Sequence, residues 1–537
     1  GTSGQAGNIN VKTGSLFVRN GGQLTSSTSG KGNAGNITIN ATGIVSFEGK
    51  DSEGIFSGIF STVNETGVGN GGEINITAGS LLINEGFLSN NVTRGAKGNA
   101  ANININTGSL FITNGGQLSS STSGEGNAGN ITINATGTVS LDGIDNQGKP
   151  SAVFSTVEAG GVGNGGEINI TARSLSLTNG GELNTFIRRG GNGTAGNVKL
   201  NISDQIKITG TDSGIFSNVL SGATGNGGNI EILKGSLFIA DGGEINASTS
   251  GNGNAGGIKI NANSLFVDGG QLITNSEVEN RQAGNIEITT AKDIRLDNGA
   301  FISANTNGGQ GNITLNSRDL ILRRNSNITT NAIGTATGGN ITIKTGNLVA
   351  FPKEDSNISA NADRGPGGRV SIGATRIFGI EFRKQPTQES DITATSNLGP
   401  DFSGNVQINT PDVDPSQGLL ELPDNLADAS SQIAQNPCQK GFGSSFTVTG
   451  RGGLPSSPND SLSSDNVRVG LVNPSTSTSS SQSSTINQPI TQSTGKQIIP
   501  AQGWIFNDKG EVVLTAYDPT TTNPQRTSQP TAACPAF

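Results

Sequence analysis

The chain has 537 residues, including 82 Gly and no His or Met, and its formal net charge is −8. This acidic balance argues against a nucleic-acid partner, which binds basic surfaces, and the lack of His removes the side chain most often used in acid–base catalysis. No apolar run approaches the roughly 18 to 20 residues that span a membrane, so we expect no transmembrane segment.

The motif Gly32–Asn40, with the sequence GNAGNITIN, returns in variants over the first four fifths of the chain. Fixed periods of this size are typical of stacked repeat architectures. Residues 32–43 also recur letter for letter at 126–137, which indicates an internal duplication. Fourteen units begin at Ile9, Ile37, Ile74, Ile103, Ile131, Ile168, Val198, Ile230, Ile258, Ile286, Ile313, Ile341, Val370 and Val406.

Within one unit, residues 102–129, three short runs alternate apolar and polar residues and are separated by Gly- and Asn-rich turns. This period of two is typical of strands. If each unit closes one turn, its strands pair with those of the next turn and the inward side chains form one column. We therefore predict an all-β fold, a right-handed parallel β-helix of about fourteen coils over residues 1–408.

The middle residue of the second run varies between apolar and charged, as Phe111 and Lys207 show, whereas its neighbours stay apolar. A position that accepts Lys almost never lies inside, so we expect this residue to point outward. The recurring aromatics at this position define a candidate docking strip: Phe17, Phe111, Phe238 and Phe266. The alternative interpretation is that turns and inserts fold back and cover these rings. Solvent exposure of the rings discriminates between the two.

An asparagine precedes the first inward residue in ten of the fourteen units. Stacked Asn amides hydrogen-bond along the axis of repetitive β-structures, so we interpret this column as a structural ladder. The exceptions Glu73, Glu167, Gly257 and Arg369 place the column at a corner that water reaches. Its representative members are Asn36, Asn102, Asn130, Asn285, Asn312 and Asn340.

After the repeats the composition changes. We predict an end cap with a short helix at 409–437, a Gly-rich segment containing a Cys at 438–472 and a Ser/Thr/Gln linker at 473–496. Two apolar runs around a turn predict a β-hairpin at 497–518, and a flexible tail follows at 519–537.

The repeats, together with Asn436-Pro437-Cys438, Gly450–Pro455 and Ala501–Trp504, resemble cyanobacterial exoproteins of the filamentous haemagglutinin type. In that two-partner secretion family, an outer-membrane transporter barrel recognises an amino-terminal secretion domain and exports the chain, which folds outside the cell as a β-helix. The resemblance implies that this chain is the carboxy-terminal part of such a protein, because the motifs of the secretion domain are missing. It implies an extracellular or outer-surface location.

The two cysteines, Cys438 and Cys534, both follow the repeats. The resemblance implies an oxidising setting in which they are candidates for a disulfide. Sequence alone cannot show the pairing, so two free thiols stay an alternative.

We expect a non-enzymatic, adhesin-like rod whose ligand is a cell surface or a polysaccharide, with no catalytic residues, cofactor or metal. The alternative function is that of a polysaccharide-active β-helix enzyme, a lyase or hydrolase. Its charged candidates are Asp142 with Asp145 and Arg188 with Arg189, which lie in turns or inserts where charge is ordinarily solvated. A clustered acidic and basic groove on one lateral face favours the enzyme.

Overall fold

The computed structural model describes residues 3–309, 311–411, 503–506 and 512–515. The chain divides into two units, Gly1–Asp414 and Pro415–Phe537. The first unit holds the repeats.

Short strands follow one another in a fixed cycle through the first unit. Those of its first half are β1 Ile9–Thr13, β2 Leu16–Arg19, β3 Gln23–Thr25, β4 Ile37–Ala41, β5 Ile44–Glu48, β6 Gly58–Phe60, β7 Ile74–Asn84, β8 Phe87–Ser89, β9 Ile103–Thr113, β10 Gln117–Ser119, β11 Ile131–Ala135, β12 Thr138–Asp142, β13 Ala152–Phe154, β14 Ile168–Thr178, β15 Glu182–Asn184, β16 Val198–Thr209 and β17 Gly214–Phe216.

The same cycle continues through the second half of the unit. Its strands are β18 Ile230–Leu233, β19 Ser236–Ala240, β20 Glu244–Asn246, β21 Ile258–Ala262, β22 Ser264–Asp268, β23 Gln271–Ile273, β24 Ile286–Thr290, β25 Ile294–Asp297, β26 Phe301–Ser303, β27 Asn312–Leu322, β28 Asn327–Thr329, β29 Asn340–Val349, β30 Ile358–Ser359, β31 Arg369–Phe378, β32 Glu381–Phe382, β33 Asp391–Thr393 and β34 Asn405–Asn409. Two single-turn 3₁₀ helices lie at Pro352–Glu354 and Pro400–Phe402.

Strands one coil apart pair in parallel and in register, so that Ile9 faces Ile37, Ile37 faces Ile74 and Ile131 faces Ile168. Within residues 3–309 and 311–411, the pairings form a 20-stranded sheet and a 14-stranded sheet that wind around one interior. This confirms the predicted parallel β-helix. The fourteen unit starts enclose about thirteen complete turns, since each turn lies between two starts. The right-handed sense of winding stays a prediction.

The alternation of apolar and polar residues explains why these segments form strands. Ile103, Ile105, Leu110 and Ile112 of β9 are all 0% exposed, and equivalent residues of the other coils stack on them as one aliphatic core. The intervening residues face solvent, and Lys207 lies on the exposed side of β16 as predicted. Because the core residues of consecutive coils are in contact, each coil buries its interior against the next.

The third side of each turn has isolated bridges instead of strands, as between Thr122 and Val157 and between Val157 and Ile187. In longer coils the extra residues form a loop at one corner. In one of them Ile144 pairs with Pro150, and the Asp145 carboxylate accepts the N–H groups of Gln147 and Lys149 at 2.8 Å each. The extra residues therefore form a small closed turn and leave the strand register intact.

In the second unit, β35 Gly503–Phe506 and β36 Val512–Thr515 pair antiparallel, as the hairpin of the predicted fold requires. Apart from these strands, the segments predicted after residue 411 lie outside the described residues. They comprise the end cap with its helix, the Gly-rich segment, the linker, the tail and both cysteines.

Candidate functional site: a polar groove at the Gly-Asn corner

The Asn column runs along the corner that precedes the first strand of each coil. The Oδ1 atom of Asn36 accepts the backbone N–H of Glu73 at 2.8 Å, and Asn130 does the same for Glu167 at 2.8 Å. Asn102 accepts the N–H of Asn130 at 3.0 Å. The dominant bond of the column thus joins a side chain to the backbone of the following coil, where an amide-to-amide ladder was expected.

Amide-to-amide bonds do occur near the carboxy-terminal end of the column. Asn312 Nδ2 donates to Asn285 Oδ1 at 3.0 Å, and Asn340 Nδ2 donates to Asn312 Oδ1 at 2.8 Å. The backbone N–H groups of Asn312 and Asn340 donate to the same oxygens, each at 3.2 Å. Both types of bond therefore connect successive coils at this corner.

A second Asn column, which was not predicted, lies three residues earlier in the motif. Asn33 Oδ1 accepts the N–H of Asn70, Asn70 accepts that of Asn99, and Asn99 accepts that of Asn127, at 2.8 to 2.9 Å. The second Asn that recurs three residues before the first column in the repeated motif is the sequence pattern that could have predicted this column. The corner is consequently fastened twice wherever both columns hold Asn, as at Asn33 with Asn36 and at Asn99 with Asn102.

The two glycines of the motif are required by close contact between coils. A Cβ atom on Gly129 would lie 2.1 Å from the carbonyl oxygen of Ala101 in the preceding coil and 2.5 Å from Ser120 Oγ. A Cβ atom on Gly126 would lie 1.9 Å from the oxygen of Gly98. No side chain fits at either position, so the backbones themselves pack together here.

The ladder is interrupted at Gly257, which occupies an Asn position and has no side chain. Its N–H donates to Asn229 Oδ1 at 2.8 Å, but Gly257 cannot in turn accept from the next coil. Among the described residues, the backbone N–H of Asn285 consequently has no hydrogen-bond partner. A Cβ built on Gly257 would lie 3.3 Å from Asn229 Oδ1 and 3.3 Å from the carbonyl oxygen of Asn285, so the position lies between these two residues.

A groove of about 880 Å³ opens around this interruption and extends along the axis from Asn197 to Asn312. Five coils contribute to it, which corresponds to about 19 Å at ~4.8 Å per strand. The Asn residues of both columns line one side, and the outward residues of the first strands line the other. The groove is therefore elongated, parallel to the axis and predominantly polar.

The outward residues of the first strands alternate in charge within the groove. Lys199 faces Glu231, Glu231 faces Lys259, and Lys259 faces Glu287 in the register of the sheet. Lys199 also pairs with Glu167 at 3.3 Å, whereas Glu231, Lys259 and Glu287 form no ion pair with any described residue within 4.0 Å. The four groove charges cancel, so the groove has no net charge.

The predicted docking strip lies on the second strand, in one column. Phe17 is 53% exposed and Phe111 38%, while Phe238 and Phe266 are half-buried. The rings of Phe238 and Phe266 pack against each other with centroids 5.5 Å apart and planes tilted by 52°. Lys207 and Arg295 interrupt the column on either side of this pair, so the four rings do not form one continuous patch.

A different set of side chains meets on the 14-stranded sheet. Glu182 and Glu244 lie two coils apart with Gly214 between them, and Phe216 of the middle strand packs over Gly214. Burial raises the pKa of both carboxyl groups, against hydrogen bonds from Asn184 to Glu182 and from Asn246 to Glu244. The Asp212 charge raises both pKa values further, and the Arg188 charge lowers that of Glu182. This pair was not predicted from the sequence.

The four charged candidates of the enzyme alternative do not converge. Asp142 accepts from Thr178 and Asn179 at 2.5 and 2.8 Å, and Asp145 closes the insert turn. Arg188 pairs with Glu158 at 2.8 Å. The side chain of the neighbouring Arg189 is exposed.

In the part of the chain that the structure describes, no three His, Cys, Asp or Glu side chains converge to hold a metal ion. None of its helices is long and apolar enough to cross a membrane. Neither a model of a known protein family nor a curated protein sequence matches the chain.

Proposed function

We propose that this protein is an adhesin-like structural rod that works without catalysis and presents lateral faces to a cell surface, a polysaccharide or neighbouring copies. Its core is mainly aliphatic, so the side chains available to a partner lie on the outside. In-register stacking places equivalent outward residues in straight columns. Such columns suit the repeated weak contacts of adhesion.

The observation that carries this proposal is the aromatic pair Phe238 and Phe266, which lies half-buried on the outward side of the second strand. Two aromatic rings in contact on a sheet face, flanked by the exposed cations Lys207 and Arg295, are typical of surfaces that bind a partner. The guanidinium of Arg295 lies 5.0 Å from the ring centroid of Phe266, which extends the pair into a mixed apolar and cationic patch. Aromatic and Arg side chains dominate binding energy at many interfaces.

We also propose an extracellular or outer-surface location, reached by two-partner secretion through an outer-membrane transporter. Support comes from the resemblance of the repeats and of the segment 436–455 to filamentous haemagglutinin-type exoproteins. A lack of Cys within residues 1–408 suits passage of an unfolded chain through a pore.

The location is tested with antibodies against the repeat region on intact and permeabilised cells of the source organism. Equal labelling of both is expected, and labelling only after permeabilisation contradicts the proposal. Adhesion is tested by binding of the fluorescently labelled full chain to those cells. The double variant Phe238→Ser with Phe266→Ser is expected to bind several-fold less, while Thr314→Ser, an outward change elsewhere on the same sheet, binds normally.

A second candidate function, cleavage of a polysaccharide, is favoured by Glu182 and Glu244. Their backbones lie about 9.6 Å apart, at ~4.8 Å per strand, and glycosidases that invert configuration hold two carboxyl groups at a comparable separation. A carboxyl group with a raised pKa is suited to donate a proton to a leaving group. Release of reducing ends by the wild type but not by Glu244→Gln supports this function, and no release by either contradicts it.

A further inference from the structure

The groove at the Gly-Asn corner is centred on a position where the repeated Asn column has no side chain. Asn229 on one side and Asn285 on the other keep their amides, while Gly257 between them has no side chain. The same substitution removes the acceptor of the Asn285 N–H, the position at which most coils supply an Asn oxygen. A residue that lines the groove therefore has a backbone donor without a partner among the described residues.

The groove offers donors and acceptors in nearly equal measure. Donors are the N–H of Asn285, the ammonium groups of Lys199 and Lys259 and the amide NH₂ groups; acceptors are the carboxylates of Glu231 and Glu287. Groups that both donate and accept a hydrogen bond, as hydroxyls do, satisfy such a mixture best. The lining contains no aromatic ring and only short apolar side chains or backbone at Ala255, Ala283, Ile230 and Ile258.

These features exclude other common ligands. Nucleic acid and acidic polysaccharide require net positive charge, but the four charges here cancel. A peptide needs apolar pockets for its side chains or a free sheet edge, and this groove crosses the paired strands of the sheet. The remaining class is an uncharged chain rich in hydroxyl groups.

We propose that the groove centred on Gly257 binds a linear, uncharged polysaccharide that lies parallel to the axis of the β-helix. The coils repeat at ~4.8 Å, which is close to the length of one pyranose unit, so each successive sugar meets the polar groups of one further coil. Asn285 N–H binds a sugar oxygen at the centre. This inference rests on the proposed adhesive function and specifies its ligand class.

The test uses native gels that contain soluble galactomannan or mixed-linkage β-glucan, with alginate as the acidic comparison. The full chain is expected to be retarded by at least one neutral polymer and not by alginate, and 0.5 M NaCl in a matching pull-down is expected to leave binding unchanged. No retardation by either neutral polymer overturns the inference. Retardation by alginate alone also overturns it and indicates an acidic ligand.

The variant Gly257→Asn distinguishes binding by the groove from binding elsewhere on the rod. The new side chain fills the gap and its Oδ1 accepts the Asn285 N–H, so retardation is expected to weaken at least about tenfold while the thermal midpoint stays equal or rises. The matched control is Glu73→Asn, which completes the same column at Asn102, outside the groove, and is expected to leave retardation unchanged.

If Gly257→Asn lowers the thermal midpoint, its loss of binding could come from damage to the fold. The double variant Glu231→Ala with Lys259→Ala then tests whether the groove binds the polymer, because both side chains lie in the groove without an ion pair. If this double variant is retarded as strongly as the wild type, the groove is not the binding site and the inference is overturned. Adhesion to cells measured in parallel distinguishes the two proposals. A groove variant that is no longer retarded but still adheres to cells shows that the groove binds the polymer and that adhesion uses another ligand. A wild type that neither adheres nor is retarded contradicts both proposals.

Discussion

The Oδ1 atom of Asn36 accepts the backbone N–H of Glu73 at 2.8 Å, so a side chain of one coil completes the backbone hydrogen bonding of the next. This bond recurs at the same corner along much of the β-helix. It converts an exposed turn into part of the inter-coil pairing.

Replacement of Asn36 by Ala is expected to lower the free energy of unfolding by about 1 kcal/mol, the usual net contribution of one hydrogen bond. Amide hydrogen exchange at Glu73 should accelerate correspondingly. Asn40→Ala is the control, because Asn40 is equally exposed in the same coil and has no side-chain hydrogen bond to a described residue. Equal effects of the two variants would refute the ladder.

Gly129→Ala is expected to destabilise the β-helix by about 3 kcal/mol or more, because its methyl group would overlap the Ala101 carbonyl oxygen. Denaturant unfolding measures the loss, and reduced soluble expression is its simplest sign. Gly14→Ala provides the comparison, since nothing lies within 4 Å of its Cβ position. A stable Gly129→Ala protein would mean that the coils are further apart than described.

Ser155→Ala is expected to cost about 1 to 3 kcal/mol, since it leaves two buried backbone groups unpaired. Ser155 Oγ donates to the Gly129 carbonyl at 2.8 Å and accepts the Gly166 N–H at 2.9 Å, which fastens the second sheet to the Gly-Asn corner. Ser140→Ala, on the outward column, should change the unfolding free energy by less than about 0.5 kcal/mol. Similar losses for both would show that the inner hydroxyl bonds do not stabilise the fold.

The double variant Glu182→Gln with Glu244→Gln is expected to change how stability depends on pH. Burial raises the pKa of both groups above the ordinary 4.5, so the folded chain holds these protons more tightly than the unfolded chain. Their stabilising contribution is therefore full below pH 4.5 and is lost as the pH rises through the raised values. Thermal midpoints of the wild type should fall across this range relative to the variant.

Asp212→Asn serves as the second measurement for the same carboxyl pair. Removing this charge lowers both pKa values, so the loss of stability should move to lower pH. Parallel midpoint curves for the wild type and the double variant would show that the two groups are not desolvated.

Alkylation of the native chain with iodoacetamide, without reductant, is expected to add no mass if Cys438 and Cys534 are bonded to each other. Mass spectrometry after reduction should then show two additions. A native chain that takes up two alkyl groups at once contains free thiols instead.

The repeat pattern alone predicted much of the fold. Ile37 and Ile131 are buried and Lys207 is exposed, because strand alternation depends only on neighbours in sequence. The role of the glycines in the Gly-Asn motif could not be predicted from the sequence, since that of Gly129 depends on contact with a carbonyl in the preceding coil. Gly257 stood out as an exception, but a missing side chain becomes a groove only when Asn229 and Asn285 are known to flank it. Likewise, the alignment of Glu182 with Glu244 across Gly214 appears only once coils of unequal length are placed in register.

The coils tolerate different lengths without loss of strand pairing. Ile37 and Ile74 pair as regularly as Ile9 and Ile37, although the longer coil carries the extra loop near Glu53. The corner that holds this loop is thus a natural insertion point for foreign peptides. An epitope or affinity tag grafted at Glu53 or Gln147 should be displayed on the side of the scaffold while the strands above and below it keep their partners.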